Sequence, residues 1–190
     1  MKMGVDWGAK FESAVSYDEF LEQYGTETQR GRWRAMFDRI QLTDFQQSVV
    51  TDFTREIRIL CMAGVWCGDC VEQCPILECF ARAADCVELR FVDRDADDEI
   101  NKNLTVCGGA RVPQVVFLSE DNQFVSHFGD RTLAKYRQIA ADQLGDSCPT
   151  GIAPPADSLT NAVVQEWLNE FERVHLILRT SPRLRQKHDD

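Results

Sequence analysis

The residues of this 190-residue chain whose types and spacing can do chemistry lie between positions 61 and 74. Cys67 and Cys70 sit in the run Trp66-Cys67-Gly68-Asp69-Cys70, with Cys61 before them and Cys74 after. CxxC spacing lets the second sulfur reach the first, so the pair can pass between dithiol and disulfide, but zinc and iron-sulfur sites use the same spacing. CGDCVEQCP in fact reproduces most of an iron-sulfur run. The preceding cysteine is missing, because position 64 is Gly64, and a fourth ligand would have to come from Cys61 or Cys107. No metal is therefore expected. What a redox dithiol needs is a helix start, whose unpaired N–H groups and positive dipole end stabilise a thiolate.

The elements around the motif supply that. Ile57 to Met62 reads as a buried strand, and Cys67 to about Ala84 as a helix. Val87–Val92 follows as a strand and Asp97 to about Val106 as a helix; Gln114–Leu118 and Gln123–Phe128 are strands joined by Ser-Glu-Asp-Asn, and Thr132–Leu144 is a helix. Strand, helix, strand makes a parallel pair and a short turn makes an antiparallel one, so the sheet is mixed. Upstream, Ser16 with Glu19, Thr26 with Gln29 and Thr43 with Gln46 have capping-box spacing and predict three short helices. Trp33, Met36, Phe37 and Ile40 form one apolar stripe on the second of them. Downstream, residues 145–157 (GDSCPTGIAPPAD) read as a linker. Val164, Trp167, Leu168, Phe171, His175 and Leu178 mark a last amphipathic helix, and SPRLRQKHDD reads as a frayed basic tail. The expected organisation is a helical extension over 1–54 packed on the core, a central domain over 55–145, and linker, helix and tail over 146–190.

Trp66-Cys67-Gly68-Asp69-Cys70, Pro75 five residues beyond the second cysteine, and Pro113 before a late strand resemble the active site of the thioredoxin superfamily. The likeness runs over about residues 55–145. More narrowly, WCGDC with Phe128-Gly129-Asp130-Arg131 and a helical N-terminal extension looks like a group of bacterial thioredoxin-like proteins. The resemblance implies an α/β, thioredoxin-like three-layer sandwich with a mixed central sheet and extra N- and C-terminal helices. It implies that Cys67 attacks a substrate disulfide and Cys70 resolves the mixed disulfide. Trp66, Val112 and a cis Pro113 would then dock substrate backbone, and Gly68 and Asp69 would tune the thiols.

Three departures from that pattern stand out. Cys61 takes the place of a buried carboxylate six residues before the first cysteine, and Leu89 takes the place of a lysine on the neighbouring strand. Asp69 replaces the usual proline inside the motif, and its charge raises the cost of a thiolate beside it. Cys74 lies one helical turn beyond Cys70 on the same face, so it and Cys61 are expected beneath the site. Cys79 and Cys86 read as packing thiols, Cys107 as a thiol near the rim, and Cys148 as an exposed linker residue. His127 and His175 read as packed and neutral. Arg131 is open between a pair with Asp130 or Asp95 and a substrate role.

A net charge of -10 repels phosphate backbones and anionic lipid surfaces, so neither nucleic acid nor membrane is expected as a partner. The longest apolar stretch, Ile59 to Cys67, is too short to span a bilayer. MKMGVDWGAKFESAV lacks the apolar run of a secretory signal, which predicts a cytoplasmic location. In that reducing compartment the expectation is a disulfide reductase without bound cofactor, acting on protein or small-molecule disulfides and recharged by an external thiol reductant or reductase. Two alternatives stay open, a non-catalytic binding module on the same scaffold and a cysteine-ligated metal or iron-sulfur site.

Overall fold

A computed structural model describes residues 4–144 and 159–190; the expected linker and Cys148 lie outside them. Four strands make one mixed sheet in the order β2-β1-β3-β4: β1 (Ile57–Ala63), β2 (Val87–Asp93), β3 (Gln114–Ser119) and β4 (Phe124–Gly129). β1 runs parallel to β2 and antiparallel to β3, and β3 pairs antiparallel with β4. All of β3, and all of β1 but Arg58, is buried, as strands covered on both faces are.

Four helices precede the sheet, α1 (Trp7–Ser13), α2 (Tyr17–Tyr24), α3 (Glu27–Phe37) and α4 (Asp44–Thr51). The last three each begin with the expected reciprocal capping box. The first was not anticipated, because its cap is Asp6 alone, accepting from Ala9 N–H, with no Glu or Gln to complete a box. On the α3 stripe Trp33 is fully buried and Met36 and Phe37 partly so, while Ile40 lies beyond the helix end.

Side chains alternate along β1, and the alternation sorts the layers. Cys61, flanked by Phe91 on β2 and Val115 on β3, faces α5 (Gly68–Ala83). On that side Phe91 stacks with Phe20 at 5.3 Å and meets Tyr17 edge-on at 5.6 Å. Phe171 of α8 (Leu159–Thr180) meets Phe80 and Phe117 edge-on. Arg58 points the other way, over the ring of Phe11 on α1. This is a three-layer α/β arrangement. The outer edge of β2 is met by Val15, which exchanges both backbone bonds with Phe91, at 3.0 and 2.7 Å.

Two expectations need correction. The helix after β2, α6 (Asp98–Asn103), ends early, because Cys107 and Gly108 take positive φ in a turn closed by reciprocal Val106 and Gly109 bonds. SPRLRQKHDD is a further helix, α9 (Pro182–His188), not a frayed end. Pro182 sits in its first turn, where its fixed φ suits a helix start, and Leu184 is buried. Arg183 pairs with Asp121, Lys187 and His188 with Glu120, and Asp190 with both Arg55 and Arg179. The remaining helix is α7 (Leu133–Leu144). No helix among the described residues is long and apolar enough to cross a membrane.

Candidate active site

β1 delivers the chain through Gly64, Val65 and Trp66 to Cys67, the residue that caps α5 without a side-chain bond of its own. Cys67 is partly buried, Cys70 and Cys74 are fully buried, and the three descend one side of the helix. The Val112–Pro113 bond is cis, and the Cys67 thiol points at the Val112 carbonyl at 3.6 Å. Beside it Trp66 is 48% exposed, with Arg94 4.4 Å above its ring. The ring lies so close over Gly64 that a Cβ there would stand 2.7 Å from it. Gly129 is under a similar constraint, since it adopts φ +146° and a Cβ would fall 2.5 Å from the Pro113 carbonyl oxygen. Both glycines hold backbone where a side chain has no room.

A helix-start dithiol, a cis proline opposite it and a mixed sheet in the order β2-β1-β3-β4 now stand together, and a family model described as thioredoxin matches residues 14–142. The chain belongs to the thioredoxin family. Its fold is like that of a Pseudomonas aeruginosa protein of unknown function, with a TM-score of 0.68 at 17% identity over 90% of this chain and 97% of that one. Fasciola hepatica thioredoxin aligns over 50% of this chain and 88% of its own, at 22% identity and a TM-score of 0.35. Mitochondrial thioredoxin 3 from Saccharomyces cerevisiae aligns over 56% and 98%, at 19% identity and a TM-score of 0.34. No curated protein matches.

In this thioredoxin-family site the two motif sulfurs behave as one acid. Burial opposes ionisation of Cys70, but hydrogen bonds from the Cys67 and Cys74 thiols outweigh it and hold Cys70 below the ordinary thiol range. Its bond to Cys70, together with burial, pushes Cys67 far up. The backbone N–H groups of Asp69 and Cys70 act the other way on Cys67, favouring its charged form. Those directions put the charge on Cys70 and the proton on Cys67, and because each sulfur's state sets the other's, one thiolate belongs to the pair. Burial pushes Cys74 well up, and its sulfur lies 3.8 Å from that of Cys61, beneath the motif as expected.

Arg131, open between three roles in the sequence, takes another. Its Nη2 and Nε lie 2.6 and 2.8 Å from Asp69 Oδ2, whereas Asp130 is 4.0 Å away and Asp95 pairs with Arg94. Asp130 is buried, accepts from the Tyr136 hydroxyl and lies 3.4 Å from Arg111. Buried Gln73 donates to the Asp130 carbonyl at 3.0 Å and to the Asp69 carbonyl at 3.3 Å.

Two tryptophans from the helices outside the core complete the support. Trp33 donates its indole N–H to the Val65 carbonyl at 3.0 Å, two residues before Cys67. Trp167 donates to Gln73 Oε1 at 3.0 Å. Sequence reasoning placed both in apolar stripes and missed their bonds; the available signal was that a buried indole N–H needs an acceptor. Other candidates stay apart from these contacts. Cys86 donates to the Phe53 carbonyl at 3.3 Å, Cys79 is partly buried, and Cys107 is exposed in its turn. His127 Nε2 lies 2.6 Å from Gln114 Oε1, and His175 Nε2 accepts from Thr54 N–H. No group of three or more His, Cys, Asp or Glu among the described residues is arranged to hold a metal ion.

Proposed function

We propose that this chain is a thiol-disulfide oxidoreductase that reduces protein or small-molecule disulfides through Cys67 and Cys70. The observation that carries the reading is the unequal pair. Cys67 is reachable at the helix start against the Val112 carbonyl, and Cys70 is sealed beneath it. Cys67, made a thiolate by passing its proton to Cys70, attacks one substrate sulfur; the substrate S–S bond breaks, and the departing thiolate takes the proton now held by Cys70. The Cys70 thiolate then attacks Cys67 in the mixed disulfide, the second substrate sulfur leaves as a thiolate that water protonates, and a Cys67–Cys70 disulfide remains. An external dithiol or reductase returns the two electrons, so no bound cofactor is required. Substrate backbone docks along Trp66 and Val112–Pro113, and a cytoplasmic location suits net reduction.

An insulin-type disulfide reduction assay tests this. Wild type reduces the substrate, Cys67→Ser does not, and Cys70→Ser accumulates covalent complexes. A wild-type protein inert toward protein and low-molecular-weight disulfides alike would replace this reading with a non-catalytic binding module.

A further inference from the structure

We infer that Cys61 and Cys74 form a second, buried redox dithiol that receives the disulfide made at Cys67 and Cys70; this rests on the latter pair being redox-active. Their sulfurs are 3.8 Å apart and both residues are wholly shielded from solvent. Forming the bridge requires the sulfurs to close by roughly 1.8 Å. Two small thiols could merely fill space where a carboxylate would be costly to bury. Packing alone does not call for this placement, however, because Cys74 lies one turn beyond Cys70 on the face of α5 that carries Cys67, and Cys61 meets it from β1. Four sulfurs thus run in sequence from the surface to β1.

The order of three of them along α5 suits sulfur exchange. Cys67, Cys70 and Cys74 follow at i, i+3 and i+7, so Cys74 stands on the far side of Cys70 from Cys67. That is the side from which an attacking thiolate displaces a leaving sulfur. Cys74, deprotonated, attacks Cys70 in the Cys67–Cys70 disulfide; the new bond is Cys70–Cys74, and Cys67 leaves as a thiolate that takes the proton Cys74 gave up. Cys61 then attacks Cys74 in the same manner, and Cys70 leaves and takes the proton from Cys61. The sum is a Cys61–Cys74 disulfide with Cys67 and Cys70 reduced again, and no electrons are gained or lost in the transfer. The raised Cys74 thiol makes it slow at neutral pH. Under a persistent oxidant the protein then stores two disulfides, where an isolated CxxC stores one.

Shielding makes the route testable, because a solution oxidant reaches Cys61 and Cys74 only through the outer pair. Reduced protein is incubated with excess oxidised glutathione, quenched by alkylation, and its bridges mapped after cleavage at Met62, Asp69 and Glu72, which separate the four cysteines. In wild type a Cys67–Cys70 bridge appears first and a Cys61–Cys74 bridge follows, faster as pH rises. In Cys70→Ala and Cys70→Ser the inner bridge forms at least tenfold more slowly, with unchanged unfolding midpoints showing that both variants are folded. Exclusive Cys67–Cys70 bridging in wild type would overturn the inference, as would an inner bridge forming equally fast without Cys70. Glutathione loads the outer pair directly, so wild type that forms both bridges yet reduces no protein disulfide would retain this inference and refute the protein reductase reading.

Discussion

Arg131 and Asp69 are joined by two nitrogens on one carboxylate oxygen, at 2.6 and 2.8 Å, and this ties the segment after β4 to the first turn of α5. The charge placed inside the CxxC motif is thereby balanced where it stands. A lone carboxylate roughly 6 Å from a thiolate would cost about 0.7 to 3 kcal/mol as the effective dielectric falls from about 80 to 20. With the guanidinium on it, most of that cost is cancelled.

The consequence is directional. Arg131→Gln leaves Asp69 uncompensated, raises the apparent pKa of the reactive thiol by about half a unit to two units, and makes the disulfide harder to reduce. Asp69→Asn leaves Arg131 uncompensated and shifts both properties the opposite way. The double variant returns near wild type. Thiol titration by pH-dependent alkylation and a glutathione redox equilibrium measure the cycle, and equal shifts in the single and double Arg131 variants would remove the ion pair from the account.

A second expectation concerns the indoles. Trp33→Phe strips the Val65 carbonyl of its donor, and Trp167→Phe does the same to Gln73 Oε1, both in buried surroundings. Each should lower stability by about 1 to 3 kcal/mol, read from urea unfolding. Each should also slow alkylation or substrate reduction at Cys67, because the bond lost lies on the backbone leading to Cys67 or on the residue that holds Asp69 and Asp130.

The third is a pH dependence. His175 accepts the Thr54 N–H at 3.0 Å and stacks on Phe53 with ring centroids 4.7 Å apart. Burial, with Arg179 and Arg55 adding to it, lowers its pKa. A depressed folded pKa means that the unfolded chain binds the proton more readily. The His175 contribution is therefore complete above the unfolded value of about 6.5 and is lost as pH falls toward the folded value. His175→Gln keeps an acceptor for Thr54 and removes the titration, so melting temperature should fall less between pH 7 and pH 5 than in wild type.

Legibility from sequence followed the range of the interaction. Capping boxes are local, and Ser16, Thr26 and Thr43 each announced a helix; Asp6, a cap without a box, did not. The motif and both prolines were legible because the site draws on segments of fixed chemistry. The pairing of Cys61 with Cys74 was also legible, since the strand end leads straight into the helix. Contacts between distant segments were not. Nothing local in Gln73 says that it will bond Trp167, 94 residues away, nor in Arg131 that it will turn to Asp69, 62 residues away. The α9 segment failed for the same reason, because its helix is held by Asp121, Glu120 and buried Leu184, not by its own strongly polar sequence.

The single bridge between Val15 and Phe91 bears on how the molecule behaves in company. An outer strand with free N–H and C=O groups is a template on which another chain can build, and β2 is such a strand. Val15 occupies both groups of Phe91 at mid-strand, with α2 lying next to β2 beyond it. A chain trimmed to begin at Ser16 would keep the dithiol and every strand, yet it would leave the N–H and C=O of Phe91 without their partners. A segment far in sequence from the motif's own strand and helix is thus the one that closes the sheet's edge at Phe91.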